Sequence, residues 1–333
     1  MPMGSRSKRR LAACAVLLAA ALSATAPAAA QDWPTRPVTL VVPFAAGGPI
    51  DTIARILGAG LSEQLGQQIV VEDQGGAGGM IASARVAKAA PDGYTVLLAG
   101  SAVLAQVPAI YKKPTYDAAT DFTPVALFAD SARILITRTD LPVSTLPEFN
   151  AYLKANGAKM QYGSSGVGAG GHVCALLVDS LNATRIAHVP YRGAGPAIQD
   201  MIAGRLDYMF EQISTAVGQI EGGNVKAIAL MGQDRAAVLP NLPTSAEAGF
   251  NGLDCGSWSS LAYPKGVPDA IVRKLAKATD AAVEMPLIRE RFAGAGVVVV
   301  GKERRSPEYL AKFTVDEIKR WGDALKSAGL KLD

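Results

Sequence analysis

Short apolar runs recur along the chain, each followed by a glycine-bearing turn and then by residues whose apolar positions repeat every three or four places. Val38–Val42 is the first such run, apolar and β-branched, and it predicts a buried strand. Ile53, Ile56, Leu57, Leu61 and Leu65 behind it share one helical face, and Gly66 closes that helix. The same alternation predicts strands at 69–72, 94–99, 125–128, 133–137, 160–163, 185–189, 208–210 and 225–230. It predicts helices running to Lys88, over 146–155 behind Ser144 or Thr145, over 268–285 and over 308–325. Strand following helix throughout argues for an α/β protein with largely parallel sheets. No Gly/Ser/Pro-rich linker divides the chain, which suggests two domains of one type that the chain enters more than once, with a hinged cleft between them.

The first thirty residues stand apart. Arg6, Lys8, Arg9 and Arg10 precede an apolar stretch, Leu11–Leu22, and Ala28-Ala29-Ala30 is a small-residue cleavage site, so the segment reads as a secretory signal cut near Ala30. The box around Cys14 lacks a preceding apolar stretch and is not read as lipidation, and the flanks of Arg9-Arg10 fit a twin-arginine signal poorly. Cleavage would remove four of 33 basic residues and none of 29 acidic ones, leaving 29 against 29. The basic isoelectric point thus belongs largely to the signal, and no basic stripe for nucleic acid remains. About 300 residues remain, enough for roughly two domains. Cys174 and Cys255 could pair in an oxidising compartment, but the reading preferred from sequence is two small buried residues. Their spacing offers no metal motif.

The chemistry concentrates in glycine loops at strand ends: 45–48, 75–79 and 163–171. A strand feeding a helix through glycines leaves free N–H groups at the positive end of the helix, where a small organic acid can be held without a charged side chain. The first and third loops are read as binding loops and the second as a tight turn. Gly166-Val-Gly168-Ala-Gly-Gly171 matches a dinucleotide fingerprint, but the next strand carries no acidic residue for a ribose. His172 and His188 are the only histidines and are read as capping and core residues. Ser164 and Ser165 fail the nucleophile-elbow pattern, and no paired metal motif or phosphate loop occurs. Tyr191 could bracket a ligand and Arg192 could pair with a carboxylate, or they could be a half-buried tyrosine and a surface arginine. Glu211 and Gln212 could read polar ligand groups or cap the next turn, and Trp258 could cover a cleft or fill a core.

Taken together the chain resembles the Bug-type solute-binding receptors of tripartite tricarboxylate transporters. The resemblance spans essentially everything after the signal. It rests on Trp33-Pro-Thr-Arg-Pro37, Val42-Pro-Phe-Ala-Ala-Gly-Gly48 with Asp51, 71–79, and Ala87-Lys-Ala-Ala-Pro-Asp-Gly-Tyr94. Asp121–Val125, Tyr162-Gly-Ser164, His188-Val-Pro-Tyr191, Leu239–Thr244 with Glu247-Ala-Gly249, and Lys319-Arg-Trp321 continue it. It implies a type II periplasmic-binding-protein fold, an α/β architecture of two lobes with a hinged ligand cleft. The lobe boundaries implied are 31–131 plus 254–333 for the first and 132–253 for the second. It further implies a periplasmic, monomeric, non-enzymatic receptor that takes a small organic acid or amino acid, works with membrane permease subunits, and needs no cofactor, metal or nucleic acid. Carried over block by block, one cradle is Phe44, Ala45, Ala46, Gly47, Gly48 and Asp51, with Ser101. The opposite lobe supplies Ser164, Ser165, Gly166, Tyr191, Arg192, Gly193 and Glu211. Two places depart from the family pattern. Ala169 and Gly170 stand where hydroxyl residues are frequent, and Phe210-Glu-Gln212 replaces a Phe-Asp-Asn block. Two other readings stay open: a receptor of the same fold that signals to a membrane partner, and a secreted hydrolase using Ser164 or Ser165 with a histidine base.

Overall fold

The computed structural model describes residues 33–250 and 253–329, so the signal segment and its cleavage site lie outside the described residues. Of the compact unit Met1–Thr35 only residues 33–35 are described, with a cis bond between Trp33 and Pro34. The architecture lies in the second unit, Arg36–Asp333.

In chain order this unit contains β1 (Val38–Val42), α1 (Pro49–Leu65), β2 (Ile69–Asp73), α2 (Met80–Ala87) and β3 (Thr95–Gly100). A π-helical turn (Ala102–Gln106) runs into α3 (Val107–Ile110), then β4 (Phe122–Ser131), β5 (Arg133–Thr137), α4 (Leu146–Asn156), β6 (Gln161–Ser164) and α5 (Gly170–Asn182). There follow β7 (Ala187–Pro190), α6 (Ala194–Ile202), β8 (Tyr208–Gln212), α7 (Ile213–Glu221) and β9 (Lys226–Leu230). The last elements are β10 (Ser257–Pro264), α8 (Asp269–Glu284), α9 (Pro286–Gly294), β11 (Val297–Val299) and α10 (Pro307–Ser327).

The strands form two sheets, ordered β11-β4-β10-β3-β1-β2 and β7-β6-β8-β5-β9. Each is mixed rather than largely parallel. β1 pairs parallel with β2 and β3, and β6 with β7 and β8, while β10, β11 and β5 pair antiparallel with their neighbours. β5 and β10 are the strands by which the chain enters the other sheet, whereas β11 follows α9 within the elements of the first sheet. β4 passes into β5 of the other sheet across Ala132 alone, and β10 returns to the first sheet after β9. A strand re-entering from the far sheet arrives without the helical crossover that parallel pairing requires.

Local chemistry explains the element ends. Gly48 and Pro49 open α1, where proline's missing N–H costs nothing, and Gly66 leaves it in the left-handed conformation at φ 65°. Thr145 and Glu148 close a reciprocal capping box that starts α4. In β5 the alternation is visible in the packing. Ile134 and Ile136 join the cluster holding Met209 and Ile213, whereas Leu135 faces Tyr162, Tyr208 and Phe210 on the opposite side. No helix among the described residues is long and apolar enough to cross a membrane.

The cysteines overturn the preferred reading of two unlinked buried residues. Cys174 in α5 and Cys255, just before β10, are joined in a disulfide with Cα atoms 5.7 Å apart. They are 81 positions apart in sequence, but both sit fully buried in the cluster on one face of the second sheet, where the chain returning toward β10 passes over α5. Trp258 is a core residue. It stacks edge-on against Phe313, and its indole N–H donates to Glu317 Oε2 at 2.8 Å.

Candidate functional site

A cavity lies where the two sheets face each other, and helix N-termini converge on it. Pro49 and Ile50 at the head of α1, Ala102 at the head of the π-helical turn, Gly170 opening α5 and Ala194 opening α6 all line it. Gln212, the N-cap of α7, lines it as well. Each head follows a strand of one sheet or the other. The β–loop–α order of the sequence therefore aims several partial positive charges into one space, the arrangement that holds an anion. Phe44, Ser101, Ser165, Glu211, Ser257 and Arg133 complete the polar and apolar lining. Ser101 and Ser257 hydroxyls lie 3.0 Å apart, so β3 and β10 present a paired hydroxyl edge.

Of the residues expected from sequence, Phe44, Ser101, Ser165 and Glu211 line this cavity. The others form the seam around it. Ala45 N donates to the Arg192 carbonyl at 3.2 Å, joining the two loops across the cleft, while the Arg192 side chain is exposed. A side chain on Gly48 would meet Ala194 only at ordinary contact distance, whereas one on Gly193 would press into Ala45, so this glycine serves close approach of the two loops. Gly166, at φ 123°, faces Gly78 in the same way. The loop 75–79, read from sequence as a turn, belongs to this seam. A Cβ on Gly75 would collide with the Arg192 carbonyl and one on Gly78 with that of Val167.

Ala46 and Gly47 are exposed. Gly47, at φ 77°, donates its N–H to Asp51 Oδ2 at 2.9 Å, and Asp51 in turn pairs with Arg55. Asp51 therefore shapes the first loop from behind and takes one of its N–H groups. The Tyr191 hydroxyl is committed to Asp200 at 2.6 Å; burial and that carboxylate hold its proton to about 12.

Ser164 lies beneath the third loop rather than in it. Its hydroxyl accepts from Gly166 N at 3.1 Å, donates to Gly166 O at 3.0 Å, and lies 2.7 Å from His188 Nε2. Gly168 N donates to His172 Nδ1 at 3.1 Å, so the loop is pinned twice by histidine and serine. The rings of Tyr162, His188 and His172 stack, with the two imidazoles 4.2 Å apart. Burial lowers His172 to about 3, assisted by His188, and lowers His188 to about 4, so both are neutral at neutral pH. The Ser164–His188 contact has the spacing that a serine nucleophile needs. However, Ser164 is buried away from the cavity, and no described carboxylate hydrogen-bonds to His188. In this geometry the pair clasps the loop from beneath.

Sequence reading passed over two polar residues here, Gln106 and Arg133. Arg133, the first residue of β5, is 4% exposed; its Nε donates to Cys255 O at 3.1 Å and its Nη1 to Phe210 O at 3.2 Å. Gln106 is fully buried, and neither amide atom has a hydrogen-bond partner among the described residues. The available signal was a lone amide within Ala102-Val-Leu-Ala-Gln-Val107 and an arginine at the mouth of an apolar strand. Glu211 accepts Gln212 N at 2.8 Å, and burial raises its carboxyl to about 7 against the opposing pull of Arg133.

A family model described as the tripartite tricarboxylate transporter family receptor matches residues 53–330. Among solved structures, the periplasmic binding protein BugD is 36% identical, covering 90% of this chain and 99% of its own, with a TM-score of 0.87. MatC from Rhodopseudomonas palustris, solved with bound malate, is 38% identical over 88% of this chain and 100% of its own, with a TM-score of 0.85. An R. palustris protein solved with adipate is 33% identical over 90% and 99%, with a TM-score of 0.85.

Proposed function

This chain belongs to the tripartite tricarboxylate transporter receptor family, and from that premise we propose that it captures a small carboxylate between its lobes after export and hands it to membrane permease subunits. The observation that carries this reading is the convergence of helix N-termini from both sheets on one cavity. Main-chain N–H groups at those termini hold the carboxylate, and shutting the lobes withdraws it from water, which strengthens each hydrogen bond. Relatives solved with malate and with adipate support a carboxylate as the class of ligand. The lobes divide at 31–131 plus 254–333 and at 132–253, a division supported by the strands that make up each sheet.

Phe44, Ser101, Ser165 and Glu211 touch the ligand in this reading. Ala45–Gly48, Asp51, Ser164, Gly166 and Tyr191–Gly193 set the loops that close over it. The protein acts as a monomer, without turnover of what it binds, and residues 1–30 direct export.

A thermal-shift screen of mono-, di- and tricarboxylates, aromatic acids and acidic amino acids tests the reading. A ligand at 100 times its dissociation constant adds about 2.7 kcal/mol to stability. At least one acid should raise the melting temperature and be recovered chemically unchanged. A flat response from folded protein across the panel, or conversion of the bound acid, would sink the proposal.

A further inference from the structure

We propose that Glu211 couples capture of the acid to uptake of a proton, so that the shut cleft holds the anion beside a neutral Glu211; this rests on the reading of the cleft as a carboxylate site. Among the described residues, two ionisable side chains line the cavity, Arg133 and Glu211, and each is 4% exposed. The guanidinium donates to the main-chain carbonyls of Cys255 and Phe210, and the carboxyl accepts Gln212 N at 2.8 Å. Each lies within the other's field.

The balance of charge calls for the proton. With Glu211 ionised, it and Arg133 sum to zero. A carboxylate entering the same desolvated space then leaves one negative charge in excess, and a buried charge without a partner is costly. A proton on either carboxyl restores the balance and returns the field of Arg133 to the other. Two carboxyls that share a site do not both ionise freely, and the less supported one keeps the proton. In the proposed reading the acid is held by several helix heads. Glu211 has one main-chain N–H and the Thr215 hydroxyl. The proton therefore goes to Glu211, which turns from acceptor to donor and gives its O–H to an oxygen of the acid.

Among the described residues no other ionisable group is placed to take this role. Arg133 faces Glu211 from β5, Gln212 and Thr215 lie on its own side, and the hydroxyls of Ser101 and Ser257 lie opposite. The heads of α1, α5 and α6 present no ionisable side chain to the cavity. Asp51 is turned behind the first loop, onto Gly47 N and Arg55. His172 and His188 lie beneath the third loop, and their lowered values keep them neutral at pH 7 and above. Burial already raises the Glu211 carboxyl to about 7, and a second negative charge beside it raises it further. Acid and proton thus enter and leave together, and acidification tightens the cleft.

Calorimetry on the purified protein with benzoate, lactate, succinate and adipate, in phosphate and in Tris, tests this. These acids are ionised at pH 7 and above, and the two buffers differ widely in ionisation enthalpy, so the difference in heat counts protons. At least one acid should bind with uptake of about half a proton at pH 7 and about 0.9 of a proton at pH 8, as a group titrating near 7 requires. Its affinity should fall about tenfold from pH 8 to pH 9. Glu211→Gln should abolish the uptake and hold the affinity level over that range. The wild-type heats need no variant, so the proton count stands even where the substitution disturbs folding. Binding without uptake at pH 8 overturns the coupling and leaves the carboxylate reading standing. Uptake that persists in Glu211→Gln overturns it as well, because another group then takes the proton. Failure of every acid, in this panel and the broader screen, overturns both.

Discussion

The first-lobe wall of the cleft meets the cavity with uncharged groups: apolar side chains such as Phe44, Ile50 and Leu98, the head of α1, and the hydroxyls of Ser101 and Ser257. The second-lobe wall meets it with ionisable and amide side chains, Arg133, Glu211 and Gln212, set among the heads of α5, α6 and α7. The first loop settles its own charge behind the wall, where Asp51 takes Gly47 N–H and pairs with Arg55. The second leaves Arg133 and Glu211 buried without an ion pair between them. A wall of peptide dipoles accepts any carboxylate of suitable shape. A wall of desolvated side chains discriminates by length, charge and protonation. On the proposed reading, recognition and selectivity are thus divided between the lobes.

The most disruptive change to this division is loss of the disulfide, which ties α5 to the carbonyl that holds Arg133. Opening a loop of 81 residues should cost about 4.5 kcal/mol in the chain-entropy picture. Cys174→Ser with Cys255→Ser should lower the unfolding free energy in denaturant titration, and an unchanged midpoint would place the second wall's rigidity elsewhere.

Next comes Glu211, whose raised carboxyl means that the folded state holds a proton that the unfolded state has released between pH 4.5 and about 7. Its cost to stability is absent below that window and complete above it. Around it, Arg133 on β5 is the charged neighbour, with Gln212 and the Thr215 hydroxyl on its own side and the serine hydroxyls opposite. Glu211→Gln should therefore stabilise the protein at pH 8, by no more than about 3 kcal/mol, and hardly at all at pH 4.5. The two histidines act in the opposite sense. Their lowered values mean that stability is complete above pH 6.5 and falls on acidification toward about 4 for His188 and about 3 for His172. Each contributes a slope of about 1.4 kcal/mol per pH unit there. Melting curves from pH 8 to 4 on wild type, Glu211→Gln and His172→Gln separate these effects; three parallel curves would remove the titrating role from this wall.

Closure itself is tested by Gly75→Val, whose side chain would meet the main chain of Arg192 and Ala45 at the seam. Ligand affinity should drop by about 100-fold, roughly 2.7 kcal/mol, with little change in the melting temperature of unliganded protein. An affinity within threefold of wild type would mean that the lobes need not meet at this point. The smallest effects compare backbone with side chain in the loops. Gly47→Val places a β-branched residue at φ 77° with open space around it, so its cost is conformational, about 1–2 kcal/mol, or about tenfold in affinity. Arg192→Ala removes an exposed side chain but keeps the carbonyl that accepts Ala45 N, and affinity should stay within about threefold. Calorimetry showing the reverse order would return the arginine side chain to recognition.

Local chemistry made most of the elements legible. The β-branched run of β1, the 3.6-residue spacing of α1 and the capping box before α4 are written in neighbouring residues, and propensity and capping act over a few positions. β10, β11 and α9 did not stand out by periodicity: β11 has three residues, and the strands that β10 and β11 pair with lie far away in sequence. Glycine loops at strand ends are equally local, which is why the glycine-led heads of α1 and α5 at the cavity could be anticipated. Gln106 could not, because a buried amide in an apolar stretch reads as packing until its neighbours are known.

By itself, then, the order of residues determined the alternation of strand and helix, the glycine turns at their junctions and the even balance of charge after residue 30. Only the tertiary structure decided that strands from distant segments interleave in two mixed sheets, that Cys174 meets Cys255, and that Arg133 stands buried beside Gly170 within the field of Glu211. Propensity and turn chemistry depend on adjacent residues, whereas pairing, burial and desolvation depend on which remote groups the fold brings within a few ångströms.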